Sequence, residues 1–302
     1  HSLNRSRLPK PPASPQPRFT SAAPATMSSA GAATGSGGES PMSAVWAWFF
    51  VGVVSLTNVS NCLDTYIISG VAQDVQRDLK FGAGPAYGLL VGPMFTLAKT
   101  LSAAPIGKLL EVSNRVHLLL ICTIIWSTAT SMMGFVSNYD QLLILRVVQG
   151  VAESGCVPIG QSLLFDVTPA GKLGTAMAIY NTGIYVGFGL AIGTGSQFGR
   201  VFGWRSTFVA AGMFCIPIVI LAFLTLSEPQ RGAREKSHAP VRRIHNTSTS
   251  EFLRHWIETP GLLLLCTACA LRNAGGNIWG YNMVMYYQSQ GVSISMISSW
   301  LS

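Results

Sequence analysis

Arg146-Val-Val-Gln149-Gly150-Val-Ala-Glu153 sets a cation and a carboxylate seven residues apart inside a stretch that is otherwise apolar. Seven residues are two helical turns, so the two side chains share one face of a helix. In hydrocarbon each charge costs about 2.5–3.5 kcal/mol on the lenient insertion scale, and each must face a partner or a watery cavity. Charges kept there mark a path for ions or substrate.

The surrounding chain supplies that hydrocarbon. Of 302 residues 49% are hydrophobic and 11% charged, against about 25% charged in a soluble domain. This deficit, with 31 glycines that let helices approach closely, describes an all-α polytopic membrane protein. The net charge of +8 does not point to nucleic acid, because the basic residues fall in the gaps between apolar spans. Cys62, Cys122, Cys156, Cys215, Cys266 and Cys269 all lie within such spans, without metal-ligand spacing, and read as buried thiols.

Spans of about 20 apolar residues, the length that crosses a ~30 Å core, recur near 44–69, 86–108, 116–136, 140–164, 174–198, 206–226 and 259–287. An eighth starts around Ser293. The rhythm predicts a disordered basic tail over 1–43, a six-helix bundle over 44–226 and a cytoplasmic linker over 227–258. Residues 259–302 then hold a seventh helix and the start of an eighth, as in a fragment of a two-halved bundle. The Ser/Ala/Pro-rich tail also has the bias of a transit peptide, and Met27 or Met42 could be the true start.

Lysine and arginine placement puts the N-terminus inside. The inner segments hold thirteen such residues, the outer loops only Arg77, Lys80, Arg200 and Arg205. The Asn246-Thr-Ser248 sequon then faces the cytoplasm and stays unmodified.

Depth follows from 1.5 Å per residue. Asp64 sits ~30 Å along the first span, while Arg146 and Glu153 sit ~9 Å and ~20 Å below the outer surface. Asp64 and Arg146 therefore reach similar depth and can pair across two helices, leaving Glu153 as the less compensated acid. Each of these three is either a coupling or substrate residue, or part of a static ion pair. Arg272, beside Gly275-Gly276, suggests a broken or closely packed helix, where it binds an anionic head group or neutralises an acid such as Glu153. Lys99 reads as snorkelling or facing a polar gap. Gly187-Phe-Gly189 and Gly193-Thr-Gly195 follow no strand and are helix-packing glycines. No pattern of catalytic or zinc-binding residues emerges, and no cofactor is implied.

Several motifs resemble the major facilitator superfamily, and within it the spinster-like lipid transporters. Gly107-Lys-Leu-Leu-Glu111-Val-Ser-Asn114-Arg115 is similar to the cytoplasmic loop signature, with Glu111 for the usual aspartate and Val112 for a base. The resemblance implies that Glu111 and Arg115 latch an inner gate. Arg146 to Glu153 resembles the fourth-helix signature, Gly203-Trp204-Arg205 the entry to the sixth helix, and Glu228-Pro229-Gln-Arg231-Gly232 a spinster-like motif. Asn61-Cys-Leu-Asp64-Thr65 is similar to the first-helix motif, except that Thr65 stands where that family has arginine.

The resemblance implies a transporter that moves an amphipathic lipid, such as a lysophospholipid or sphingoid, by alternating access, proton-linked or facilitative. Asp64, Arg146, Glu153 and Arg272 would serve coupling and head-group contact, with Tyr66, Tyr180, Asn181, Tyr281 and Asn282 along a cavity wall. The bilayer, a lipid or other small-molecule substrate and protons are the expected partners. A carrier of sugars or organic anions, or a truncated membrane protein without transport activity, are the alternatives.

Overall fold

A computed structural model describes residues 43–82, 84–169, 171–231, 254, 258–293 and 296. Of the expected tail over 1–43 all but Ser43 lies outside these residues, as do the Asn246 sequon, nearly all of the linker beyond Arg231 and the eighth span, apart from the isolated positions just given.

The first helix, α1, runs over Ala44–Gly70 and opens on Ser43, whose hydroxyl accepts from the Trp46 N–H. Its 27 residues extend about 40 Å, enough to cross a bilayer. A short α2 (Ala72–Asp78) follows. The second span is broken into α3 (Pro85–Val91) and α4 (Pro93–Val112). Gly92 takes a non-helical conformation there, and Pro93 has no N–H to continue the ladder.

Asn114 and Asn138 cap α5 (Arg115–Met133) and α6 (Tyr139–Glu153) by accepting from the N–H groups of His117 and Gln141. After Ser154 and Gly155, α7 (Cys156–Val167) completes the fourth span.

The fifth and sixth spans form one helical stretch, α8 (Leu173–Thr225), broken only at Gly203. Gly203 has φ 84° and ψ 160°, a conformation that L side chains rarely adopt. The two arms reverse there: Gly199 and Thr207 lie side by side, and neighbouring Asn58 and Ser60 of α1 bond Tyr180 on one arm and Cys215 on the other. A connecting loop over 199–205 was expected, but one glycine suffices.

The seventh span is α9 (Pro260–Ser289). It is continuous across Gly275 and Gly276, around which a Cβ would meet nothing within 4 Å. The break or close packing expected beside Arg272 is therefore not what the structure shows. Among the described residues five stretches are long and apolar enough to cross a membrane, the fifth being the 53-residue α8. α9 is not among them, its apolar run being diluted by Arg272, Asn273, Asn277 and Asn282.

Two apolar clusters fill the bundle. One gathers Phe50, Leu119, Trp126, Ile159 and Leu163, the other Ile68, Leu90, Met133, Leu142 and Phe208. Between them lies a buried polar belt containing Asn58, Asn61, Asp64, Thr65, Arg146, Gln149 and Glu153. Large apolar side chains such as Val45, Leu101, Ile144 and Leu224 stay exposed, as a surface solvated by lipid tails requires.

Candidate functional site

α6 carries the core of the belt. Arg146, Gln149 and Glu153 are spaced three and four residues apart on its buried face, each with no exposed surface. Arg146 Nη1 donates to Gln149 Oε1 at 2.7 Å, and Gln149 Nε2 donates to Glu153 Oε1 at 2.8 Å. Glu153 Oε2 accepts from Thr65 Oγ1 on α1 at 2.7 Å and from Lys99 Nζ on α4 at 3.2 Å. The carboxylate thus ties three helices together. Gly150 makes this possible, because a Cβ there would stand 2.8 Å from the Phe95 carbonyl oxygen on α4.

The expected pairing of Asp64 with Arg146 is absent among the described residues. Arg146 Nη2 donates instead to the Thr65 carbonyl at 3.1 Å. Asp64 is fully buried and turns to α8, where its Oδ2 accepts from Cys215 Sγ at 3.5 Å. Equal depth on two helices does not make two side chains face each other; the azimuth about each axis decides.

The cation of Glu153 is Lys99, which of the two expectations, snorkelling or facing a polar gap, takes the second and faces the polar belt. Arg272 is exposed and has no acid partner among the described residues, so it does not neutralise Glu153. Tyr180 is buried against Gly160 inside the bundle, whereas Asn181 and Asn282 are exposed.

A second constellation sits at the end of the bundle that carries the α4–α5 turn. Arg115 Nη1 reaches Asp166 Oδ2 at 2.6 Å and Ser162 Oγ at 3.0 Å, its Nε reaches Glu228 Oε1 at 2.6 Å, and its Nη2 the Pro229 carbonyl at 3.0 Å. Glu228 Oε2 also accepts from the Val116 N–H at 3.1 Å, at the positive end of α5. Arg231 donates to the carbonyls of Leu110, Glu111 and Ser113, closing the C-terminus of α4. Thus Arg115 latches to Asp166 and Glu228, while the exposed Glu111 contributes its main-chain carbonyl. Gly107 has open space around it. Asp166 went unnoticed because its partner lies 51 residues away.

At the opposite end Asp78 bonds Arg205, and its Oδ2 also accepts from Trp204 Nε1 at 3.2 Å. The hydrogen bond from Arg205 holds the Asp78 carboxyl below the usual carboxylate range. On that same half α9 docks on α1 and α3. Tyr66 donates to Asn277 Oδ1 at 3.0 Å, Tyr87 donates to the Tyr281 carbonyl at 3.1 Å, and the Tyr66 ring packs edge-on against Phe188 at 4.9 Å.

The family model of the Major Facilitator Superfamily matches residues 54–302. The chain belongs to that superfamily. It is accordingly a multi-pass integral membrane protein of the major facilitator type. Among its relatives, Protein spinster of Drosophila melanogaster is 28% identical over 192 residues, 63% of this chain and 31% of its own length. The sphingosine-1-phosphate transporter SPNS2 of Danio rerio is 30% identical over 189 residues, 61% of this chain and 37% of its own.

A crystal structure of a bacterial homolog of the human lysosomal transporter Spinster, inward-facing and unoccupied, superposes with a TM-score of 0.70. It is 26% identical, over 86% of this chain and 59% of that one. The major facilitator chain described here thus spans less than half the length of both curated relatives.

Proposed function

We propose that the protein containing this chain moves an amphipathic lipid across a membrane by alternating access, with Glu153 as its coupling acid. The observation that carries the reading is the wholly buried Glu153 carboxylate, held at once by α1, α4 and α6. A proton on that carboxyl removes its charge attraction to Lys99 and alters the hydrogen bonds from Thr65 and Gln149. The contacts between three helices then change together, as a transport cycle needs. Arg146 organises the acid through Gln149. The similarity to spinster proteins, one of them named a sphingosine-1-phosphate transporter, supports a lipid as cargo.

In this reading the Arg115 cluster closes the cytoplasmic end, the N-terminus is cytoplasmic, and 259–302 opens the second half of the bundle. Labelled lysolipid uptake into vesicles, with and without a pH gradient, tests the mechanism on the full-length protein. Glu153→Gln should abolish gradient-driven uptake and leave exchange largely intact. Gradient-driven uptake at the wild-type rate in that variant refutes the role of Glu153.

A further inference from the structure

Arg146 and Lys99 share with the Glu153 carboxylate the buried belt between α1, α4 and α6, and Asp64 lies in the same belt on α1. Arg146 is fully buried, and among the described residues no carboxylate forms an ion pair with it. Its Nη1 and Nη2 bond the neutral oxygens of Gln149 and Thr65, and its Nε carries an N–H without a partner. Lys99 holds the one acid in direct contact, Glu153. Asp64 bonds neither cation directly; its hydrogen bond comes from Cys215 on α8.

Both cations lie over one ring: Arg146 Cζ is 5.2 Å and Lys99 Nζ 5.4 Å from the Phe95 centroid. Arg146 therefore keeps one orphaned donor and has no carboxylate in direct contact. An unpaired buried N–H is costly, and an anion in contact with Arg146 relieves it. Lys99 is also the way in, since its side chain is 33% exposed while that of Glu153 is 0%.

We propose that Lys99, with Arg146 behind it, receives a phosphate-bearing head group of the substrate, and that this head group displaces the Glu153 carboxylate from the Lys99 ammonium. This rests on the lipid-transport reading above and adds to it a ligand chemistry and a residue. A neutral Glu153 no longer holds the Lys99 ammonium by charge, and the head-group oxygens accept from its N–H donors. Carboxyl neutralisation and head-group binding are thereby linked at one nitrogen. The titratable groups that feel the Glu153 charge are Cys62, Asp64 and Tyr66 on α1, Lys99 on α4, Cys156 on α7 and Tyr281 on α9.

The test measures binding of lysophosphatidic acid, and of a monoacylglycerol with the same chain, to the full-length protein in phosphatidylcholine nanodiscs. Lys99→Gln should weaken lysophosphatidic acid about tenfold, the worth of one charge-assisted hydrogen bond, and leave the monoacylglycerol unchanged as a control for folding. Lys99→Arg should retain the affinity, and Glu153→Gln should raise it. Unchanged lysophosphatidic acid binding in Lys99→Gln, or equal loss of both probes, overturns the proposal. So does wild-type protein that does not bind lysophosphatidic acid; uptake of neutral or zwitterionic lysolipids by that protein would leave lipid transport standing. Lys99-dependent binding without transport of any lysolipid upholds the site and removes the transport reading alone.

Discussion

Arg115 shows how much one side chain can hold at the end of a membrane bundle. Its guanidinium bonds the carboxylates of Asp166 and Glu228, the Ser162 side chain and the Pro229 carbonyl, with 4% of its side chain exposed. A buried pair adds little over an apolar replacement, but removing one partner strands the other charges and costs about 3–5 kcal/mol. Arg115→Ala should therefore lower the thermal midpoint of the detergent-solubilised protein by several degrees. Arg115→Lys should recover only part, because an ammonium cannot span acceptors arranged around a planar fork. A midpoint unchanged in Arg115→Ala would show that the cluster holds nothing together. This arginine was legible from its motif. Its partners were not, because a loop motif names the cation but not which distant helix end supplies the acid.

At the scale of elements, the apolar spans were legible because hydrocarbon demands them; their internal breaks were not. Gly92-Pro93, Ser154-Gly155 and Gly203 interrupt helices without interrupting the apolar pattern, so periodicity passes over them. The same limit explains Asp64 and Lys99. Residue counting measures height along an axis, and height alone paired Asp64 with Arg146; rotation about the axis sends Asp64 to Cys215 and brings Lys99 to Glu153.

The glycines of the bundle are of two kinds. A Cβ on Gly187 would run into the Val59 carbonyl and stand 2.8 Å from Cys62 Cβ, and one on Gly212 would stand 2.8 Å from the Ser131 nitrogen. Gly276 on α9 faces open space. Overpacking of this sort costs about 1–3 kcal/mol, whereas an unobstructed helical Gly→Ala gains up to about 1 kcal/mol. Gly187→Ala and Gly212→Ala should lower folded yield and thermal midpoint, and Gly276→Ala should not. Equal behaviour of the three variants in size-exclusion thermostability would refute the close approach of α8 to α1 and α5.

For the whole molecule, one end is tied by Arg115 and Arg231, and the other by the Asp78–Arg205 bond together with α9 docked on Tyr66 and Tyr87. The Asp78 bond carries a pH signature. Because Arg205 lowers the Asp78 pKa, the stabilisation is present above the unfolded value of about 3.9 and is lost as pH falls through the lower folded value. The difference in thermal midpoint between wild type and Asp78→Asn should stay constant from pH 7 to pH 5 and shrink only below about pH 4. A difference that already shrinks between pH 7 and pH 5 would show that this carboxyl is not held by Arg205. Both side chains are nearly half exposed, so the effect is small and weakens with salt.

The Lys99–Glu153 contact also bears on how the chain is made. Lys99 leaves the ribosome 54 residues ahead of its acid, so the second span meets the bilayer with its ammonium unmatched. It stays so until the fourth span has been synthesised. A helix released into lipid alone would carry a bare charge through that interval. Retention of the early spans beside the insertion channel, in water or against its wall, removes the difficulty. The pair that joins α4 to α6 in the finished bundle thus favours an order of assembly, in which the second span stays beside the channel until the fourth arrives.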